Sequence, residues 1–315
     1  MQYRKIGQWG IRISEIGLGG WMTHGRSLND DTTASIVHRA RDLGVTFFDT
    51  ADAYNGGEAE RALGEALQGR HRPDVVLATK CFFPMSDSPN DRGLGRKHIF
   101  ESVNASLRRL QTDYIDLMQF HRYDADTPLE ETVRAIDDLI RQGKVLYWGI
   151  SDWSPAQIAE VVGLARQTGA CPPISNQPQY NLFNRSIEDG VLPTSERLGL
   201  GQVIYSPLAQ GVLTGKYRPG AALPEGSRGA DATSNMWMGG MLQDENLQRV
   251  VRLEGVAKEL GITVTQLSLA WILRQPGVSS VIVGATRPEQ LEESVGASGL
   301  TYGQDVWDQV NAAFA

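Results

Sequence analysis

YIDLMQFH (114–121), RYDADTPLEETVRAIDDLIRQGK (122–144) and VLYWGIS (145–151), read in succession, decide the architecture of this chain. The first stretch is a short, mostly apolar run from 115 that ends on a polar residue, His121. The second holds an amphipathic segment at 129–142 with Gly143 placed to stop it, and the third is another short apolar run. Strand, helix and strand in that order form a βαβ unit, in which the two strands run parallel.

The same unit recurs on both sides. Strands are expected at 14–18, 46–49, 75–80, 115–121, 145–151, 174–177, 202–206 and 279–283. Helices are expected at 32–43, 57–68, 97–110, 129–142, 155–168, 186–198, 247–260 together with 265–274, and 288–296. Ser154 before Pro155 sets a capping hydroxyl ahead of a first-turn proline, while Gly44, Gly143, Gly169, Gly199 and Gly261 stand where helices should stop. Eight strand and helix pairs without a composition break predict an α/β protein, a closed (β/α)₈ TIM barrel rather than an open doubly wound sheet, with residues 1–315 as one domain. Two pieces fall outside the repeat: residues 3–13, which alternate around 7–10 like a hairpin, and 207–243, a long Gly-rich loop after strand seven. Loops of that length in a barrel commonly serve as lids or ligand clamps.

Composition narrows the function. The 315 residues are 41% hydrophobic and 21% charged, enough apolar material for a large core and too ordinary a mixture for disorder or coiled coil. Thirty Lys and Arg against 37 Asp and Glu leave a net charge of −7 with no basic cluster, which argues against nucleic acid and anionic membrane as partners. Two cysteines, Cys81 and Cys171, make neither a disulfide framework nor a Cys-based metal site, and the five histidines have no paired spacing, so no metal is expected. The first residues, MQYRKIGQWG, lack the apolar core of a secretory signal, and no run of 18 apolar residues occurs; a cytoplasmic location is expected.

Barrel active sites lie at the C-terminal ends of the strands, so polar residues ending strand candidates carry weight. Asp49 ends VTFF, Lys80 ends VVLATK, His121 ends YIDLMQFH, and Tyr54 follows Asp49 by five residues. Any one of them alone is read most simply as a satisfied core or rim group. Together they are more telling, because a Lys and an Asp at neighbouring strand ends are both buried and persist only as a pair. A Tyr beside that pair can donate a proton, since a nearby ammonium lowers its pKa, and His121 can hydrogen-bond a substrate oxygen. His24, His38, His71 and His98 are expected at solvated positions.

Phosphate signatures fail in instructive ways. After Gly17, Gly19 and Gly20 the last glycine of a dinucleotide fingerprint is replaced by Met22. GVLTGKY (211–217) is not a Walker loop, having Gln210 at the first glycine position and Tyr217 in place of Ser/Thr. A Gly-rich loop ending in Lys216 can still cradle a pyrophosphate through backbone N–H groups. Trp21, Phe82, Phe83, Tyr123, Trp153 and Trp237 cluster near these strand ends, and aromatic side chains of this kind typically line ligand pockets.

FFDTADAYNGGEAERALGEAL (47–67), VVLATK (75–80) and YIDLMQFH (114–121) resemble the signatures of the aldo-keto reductases, over essentially the whole chain. YWGISDW (147–153), NQPQYNLFNR (176–185), YSPLAQGVLTGKY (205–217) and SSVIVGATRPEQLEESVGA (279–297) are similar to the subgroup that contains the β subunits of voltage-gated potassium channels and their bacterial enzyme relatives. The resemblance implies Tyr54 as proton donor, Lys80 as the residue that lowers its pKa, Asp49 as the partner of Lys80 and His121 as the group that orients the carbonyl. It implies that Ser151, with Asp152 beside it, and Gln177 hold a nicotinamide carboxamide, and that Tyr205 stacks on the ring. Ser206, Leu208, Gln210 and Lys216 then surround the pyrophosphate, Gly284, Thr286, Gln290, Glu293 and Ser294 the adenosine, and Gly20 and Trp21 the nicotinamide and substrate. Trp21, Phe82, Phe83, Tyr123 and Trp237 form the expected substrate pocket.

Two departures stand out: Asp152 where many members have Asn, weakening one carboxamide bond, and Ser294 where the channel-subunit pattern has Asn, weakening an adenine contact. The expected activity is reduction of aldehydes or ketones with NADPH, by a monomer or homo-oligomer. Preference for NADPH over NADH rests on Lys216, Arg228 and Arg287, the resemblance placing Lys216, Arg228 and Thr286 at the 2′-phosphate. The rival reading is a redox-sensing or regulatory subunit that binds cofactor and turns over slowly.

Overall fold

The hairpin comes first. In the computed structural model, which describes residues 1–25, 27–231 and 235–314, β1 (Tyr3–Lys5) pairs antiparallel with β2 (Arg12–Ser14). β3 (Ile16–Gly19) then opens a closed barrel that continues through β4 (Phe47–Asp49), β5 (Val76–Cys81), β6 (Ile115–Phe120), β7 (Val145–Ile150), β8 (Ser175–Asn176), β9 (Gly201–Ile204) and β10 (Val278–Val283). All neighbours are parallel, and the pairs Val281↔Ile16 and Val283↔Leu18 close the ring.

The helices that follow the strands are α1 (Asp30–Asp42), α2 (Glu58–Leu67), α3 (Arg96–Leu110), α4 (Leu129–Arg141), α5 (Pro155–Thr168) and α6 (Val191–Leu198), then α7 (Asp244–Glu259), α8 (Val264–Leu273), α9 (Pro288–Val295) and α10 (Gln304–Phe314). Local chemistry sets their ends. Ser154 accepts from the Gln157 amide while the Gln157 side chain accepts from the Ser154 amide, and Thr263 and Gln266 do the same for α8, which satisfies first-turn donors that otherwise have no partner. Among the described residues no single helix is long and apolar enough to cross a membrane.

The barrel interior is filled by Phe47, Ala78, Leu117, Ile174, Val203 and Ile282, and Ile6 and Ile13 of the hairpin join the same cluster. Gly17 is needed there, because a Cβ on it would come within 2.5 Å of the Phe47 ring. A second shell of buried aliphatic and aromatic residues lies between strands and helices, with Phe120 and Trp148 at 5.3 Å among them.

Beyond shifts of a few residues at element ends, the sequence expectations differ from this at the hairpin, the sixth helix, the C-terminal helix and two histidines. Ser14 belongs to the hairpin, its hydroxyl donating to Ile16 O at 2.6 Å, so the first barrel strand starts two residues later. The sixth helix begins at Val191 instead of 186, the preceding residues forming turns. α10, which packs on α7, was not expected. The 207–243 segment is a loop as expected, and its described residues hold only 3₁₀ turns, at Ala209–Thr214, Asn235–Trp237 and Gly239–Leu242. His24 and His98 are buried, not solvated.

Candidate active site

β4 and β5 are neighbours, and the pleat turns Asp49 and Lys80 toward each other at the C-terminal end of the barrel. Lys80 Nζ donates to Asp49 Oδ1 at 2.5 Å and to Thr50 O at 2.8 Å. The other carboxylate oxygen, Oδ2, accepts from Gln119 Nε2 at 3.1 Å and Gln177 Nε2 at 2.9 Å. Lys80 is fully buried and Asp49 3% exposed, so this pairing is what makes two charges tolerable there. Burial alone would lower the Lys80 ammonium, but Asp49 and the nearby Tyr54 phenol more than reverse it, and the pKa stands above the usual lysine value.

Tyr54 opens a 3₁₀ turn, Tyr54–Gly57, in which Asn55 (φ 51°) and Gly56 (φ 63°) take left-handed backbone. Its ring centroid is 4.9 Å from Lys80 Nζ and 5.6 Å from the His121 ring. The phenol departs from expectation: burial raises its pKa above the ordinary value, and the Lys80 ammonium is the chief influence drawing it back. His121 is 8% exposed; burial first, then the charges of Lys80 and Arg122, hold its imidazole well below the usual histidine range, so it is neutral at pH 7. Its Nδ1 is buried and meets no partner among the described residues. Phe83 lies edge-on to the imidazole at 4.8 Å.

Beside this group a network absent from the sequence reading spans the rim. Arg122 Nη1 donates to His121 O at 2.5 Å and to Ser151 Oγ at 3.4 Å, and it pairs with Asp152 at 3.2 Å. Asp152, at φ 54°, also accepts the Tyr205 hydroxyl at 2.9 Å on Oδ2. Ser151 donates to Gln177 O at 2.8 Å, which brings both expected carboxamide residues together.

A cavity of about 950 Å³ extends from this cluster along the ends of β9 and β10. Trp21, Asp49, Tyr54, Phe83, His121, Ser151, Gln177, Tyr205, Ser206, Leu208, Gln210, Lys216, Arg228, Gly284, Thr286, Gln290, Glu293 and Ser294 line it. Lys80, Asp152 and Gly20 are absent from its lining; Gly20 donates its amide to Asp49 O at 3.1 Å. Phe82 and Tyr123 do not line it either: Phe82 stacks edge-on to Phe83 at 5.3 Å, and Tyr123 to Trp153 at 4.9 Å, so apolar packing takes both side chains. The side chain of Trp237 lies outside the described residues. Lining residues not anticipated as site residues include Thr23, Arg122, Gln179 and Thr265; Gln119, behind Asp49, was also missed.

The far end suits a phosphorylated ligand. Ser206 (φ 49°), Ala209 (φ 47°), Gln210 (φ 59°) and Gly211 (φ 91°) are all left-handed, the last three in succession, in a tight loop whose Ala209 and Gly211 amides donate to Ser206 O at 3.1 Å and Leu208 O at 2.9 Å. Three non-glycine residues in that conformation are backbone strain of the kind that functional sites retain. Arg228 donates to the Gln210 side chain, which in turn donates to Ser206 Oγ at 2.7 Å. Lys216 and Arg287 are exposed at the same end. A Cβ on Gly284 would find nothing closer than Gly19 O at 4.0 Å, so its absence leaves room in the cavity wall. Thr286 donates through its amide at 2.8 Å and its hydroxyl at 3.1 Å to Gln290 Oε1, and Ser294 donates to Gln290 O at 2.9 Å. These residues fit a dinucleotide laid from Tyr205 to Ser294.

Comparison with known proteins points the same way. The model of the aldo/keto reductase family matches residues 15–315. A probable voltage-gated potassium channel subunit beta from Arabidopsis thaliana is 45% identical over 300 residues, covering 94% of this chain and 91% of the relative. One so named from Oryza sativa subsp. japonica is 44% identical with the same coverage. A putative one from Schizosaccharomyces pombe is 41% identical over 304 residues, 94% of this chain and 87% of the relative.

Proposed function

This chain belongs to the aldo/keto reductase family, whose members are oxidoreductases that act on small carbonyl compounds with a nicotinamide cofactor, and we propose that it reduces an aldehyde or ketone to the alcohol with NADPH, as one domain spanning residues 1–315. The observation that carries this reading is Tyr54, set 4.9 Å from the Lys80 ammonium and 5.6 Å from the His121 ring at one end of a cavity whose other end presents Lys216, Arg228 and Arg287.

NADPH, when bound, supplies the hydride that the carbonyl carbon receives. Tyr54 holds a proton on its phenol oxygen at neutral pH, because burial keeps the phenol above its ordinary pKa, and releases it to the carbonyl oxygen as negative charge builds there. Lys80 stabilises the phenolate left behind, and Asp49, itself held by Gln119 and Gln177, keeps the ammonium charged and in place. His121, neutral, donates a ring N–H to the carbonyl oxygen and fixes its direction. Trp21 and Phe83 line the same end and exclude water from the reacting atoms. Ser151 and Gln177 would hold the carboxamide, Tyr205 would support the nicotinamide ring, and the left-handed loop with Lys216 and Arg228 would receive the phosphates.

Free Cys81 and Cys171 suit a reducing cytoplasmic setting. The relatives named as potassium channel β subunits favour a second reading, a cofactor-binding regulatory subunit, and an oligomer with it. Steady-state turnover with a panel of aromatic aldehydes and NADPH separates the two. The enzyme reading expects sustained multiple turnover that Tyr54→Phe removes; a single slow turnover per bound cofactor overturns it.

A further inference from the structure

A second cavity, of about 590 Å³, lies at the opposite, N-terminal end of the barrel, between the hairpin, the loop joining α8 to β10 and the segment ahead of α10. Arg4, Lys5 and Arg274 line it, and no Asp or Glu does, in a chain of net charge −7. The three cations are placed very differently. Arg4 is satisfied: it pairs with Glu15 at 2.5 Å and donates to Leu273 O at 2.6 Å and Val278 O at 3.0 Å. Lys5 is exposed and has no ion pair among the described residues. Arg274 is half-buried, with its guanidinium carbon 4.8 Å from the Trp271 ring and 5.5 Å from the Trp307 ring, and no N–H of its side chain finds an acceptor among the described residues.

Arg185 makes the contrast. It stacks on the same Trp271 at 5.1 Å, yet its guanidinium is held by both oxygens of Glu188 at 3.0 Å each. Stacking on indole rings accounts for where Arg274 sits, but rings accept none of its donors. Burial is the chief influence against the Arg274 charge and Arg185 adds to it, while Tyr180 and Glu188 offset it only in part, and an anion in the groove would relieve the remainder. Around the guanidinium the groove offers apolar surface from Leu300, Tyr302 and Trp307.

We propose that this groove is a binding site for a small organic anion, a carboxylate or phosphate carried on an apolar body, with Arg274 and Lys5 taking the charge and Tyr302, Trp307 and Leu300 the body. A guanidinium takes carboxylate and phosphate alike through paired N–H donors, so the two head groups share one recognition chemistry. The site is independent of the Tyr54 pocket, and its occupancy is read separately from turnover.

The test uses the full chain and four probes, phenyl phosphate, benzoate, inorganic phosphate and benzyl alcohol, titrated while the indole N–H resonances of Trp271 and Trp307 are followed. Saturable shifts are expected with phenyl phosphate or benzoate, binding at least about fivefold weaker with inorganic phosphate, and none with benzyl alcohol, since charge-assisted bonds and apolar contact are both required. Arg274→Gln is expected to weaken binding about tenfold or more while carbonyl turnover, at the other end of the barrel, is unchanged. Should that variant not fold, Lys5→Glu, on an exposed side chain, must weaken binding several-fold and leave the fold intact. No saturable shift in the native chain, equal affinity in the variants, or benzyl alcohol binding as well as phenyl phosphate overturns the proposal.

Discussion

The Tyr54 end of the main pocket and the Lys216 end are built on different principles. At the first, Asp49, Lys80 and His121 sit on or directly after strand ends, almost without exposure, and the ion pair takes every hydrogen bond from inside the barrel. At the second, the cations stand on loops, Lys216 and Arg287 exposed, and what order there is comes from side chain on side chain, Arg228 on Gln210 on Ser206. A strand end is fixed by the sheet and cannot move without opening the barrel, whereas a loop is placed by a few bonds at its own surface. Chemistry that depends on sub-ångström position belongs at the first, and charge recruitment at the second. Mutations at the two ends are therefore expected to fail differently.

Lys80→Met should have the largest effect. It removes the charge beside Tyr54 and leaves Asp49 as a buried carboxylate with only the two glutamine amides, which costs about 3–5 kcal/mol of stability. Activity and thermal midpoint should fall together; an active Lys80→Met variant of native stability would remove the basis for treating this end as one charged unit. Tyr54→Phe sharpens the same point, because it takes away only a hydroxyl and leaves the ion pair intact. The rate of carbonyl reduction should drop by about 10²- to 10⁴-fold with unfolding and cofactor affinity nearly unchanged. A variant that keeps most of its rate would exclude Tyr54 as the proton donor.

Asp52 tests how far the buried character of that end extends. It lies two residues before Tyr54, fully buried, with Ser102 Oγ donating to Oδ2 at 2.7 Å and Oδ1 without a partner among the described residues. Burial, opposed by the Ser102 hydrogen bond and reinforced by Glu60, pushes its pKa up to about 7. The folded state therefore binds a proton that the unfolded chain releases between about pH 4 and pH 7, and folding stability falls as pH rises through that window, by up to about 4 kcal/mol at roughly 1.4 kcal/mol per unit. Asp52→Asn keeps the acceptor for Ser102 and cannot ionise, so it should gain on the native protein between pH 5 and pH 8 in urea midpoint. A difference between the two proteins that does not change with pH would show that Asp52 is already ionised when folded.

At the loop end the expected losses are smaller and selective. Lys216→Ala with Arg228→Ala should weaken NADPH more than about tenfold and leave NADH nearly untouched, at roughly 1.5–3 kcal/mol per charge-assisted bond before discounting for exposure. Dissociation constants for both cofactors decide it, and an unchanged NADPH to NADH ratio would mean that these cations do not read the extra phosphate.

How much of this was legible follows the same division. The strand ends were readable because period and length mark a strand, and a Lys and an Asp ending neighbouring strands demand each other. Gln119 was readable in principle, since it sits at alternate spacing between Leu117 and His121, but an uncharged amide in a strand raises no electrostatic question. The left-handed backbone at Ser206, Ala209 and Gln210 has no sequence signal, because the tertiary setting imposes what these residue types rarely adopt. Phe82 and Tyr123 carried the right chemistry for a pocket and packed elsewhere, which only the neighbouring Phe83 and Trp153 decide. α10 went unread although Val306, Trp307 and Val310 give it an apolar face, because it lies beyond the last repeat.

The rim joins the two ends, and it yields the smallest effect. Asp152 ties Arg122, bonded to the carbonyl of His121, to the hydroxyl of Tyr205 at the start of the loop after β9. Both members of the ion pair are partly exposed, at 38% and 27%, so solvent screens it and the pair contributes less than about 1 kcal/mol. Asp152→Asn keeps an oxygen for the Tyr205 hydroxyl and should lower NADPH affinity only about two-fold, whereas Asp152→Ala frees the ring and should cost about five-fold. Tyr205→Phe retains the ring and loses the hydroxyl. If the hydroxyl acts through Asp152, the Asp152→Ala and Tyr205→Phe losses will not add, and the double variant will bind NADPH about as well as either single one. Strict additivity would show the two side chains acting separately, and would leave the strand-end and loop halves of the pocket without an energetic link through this contact.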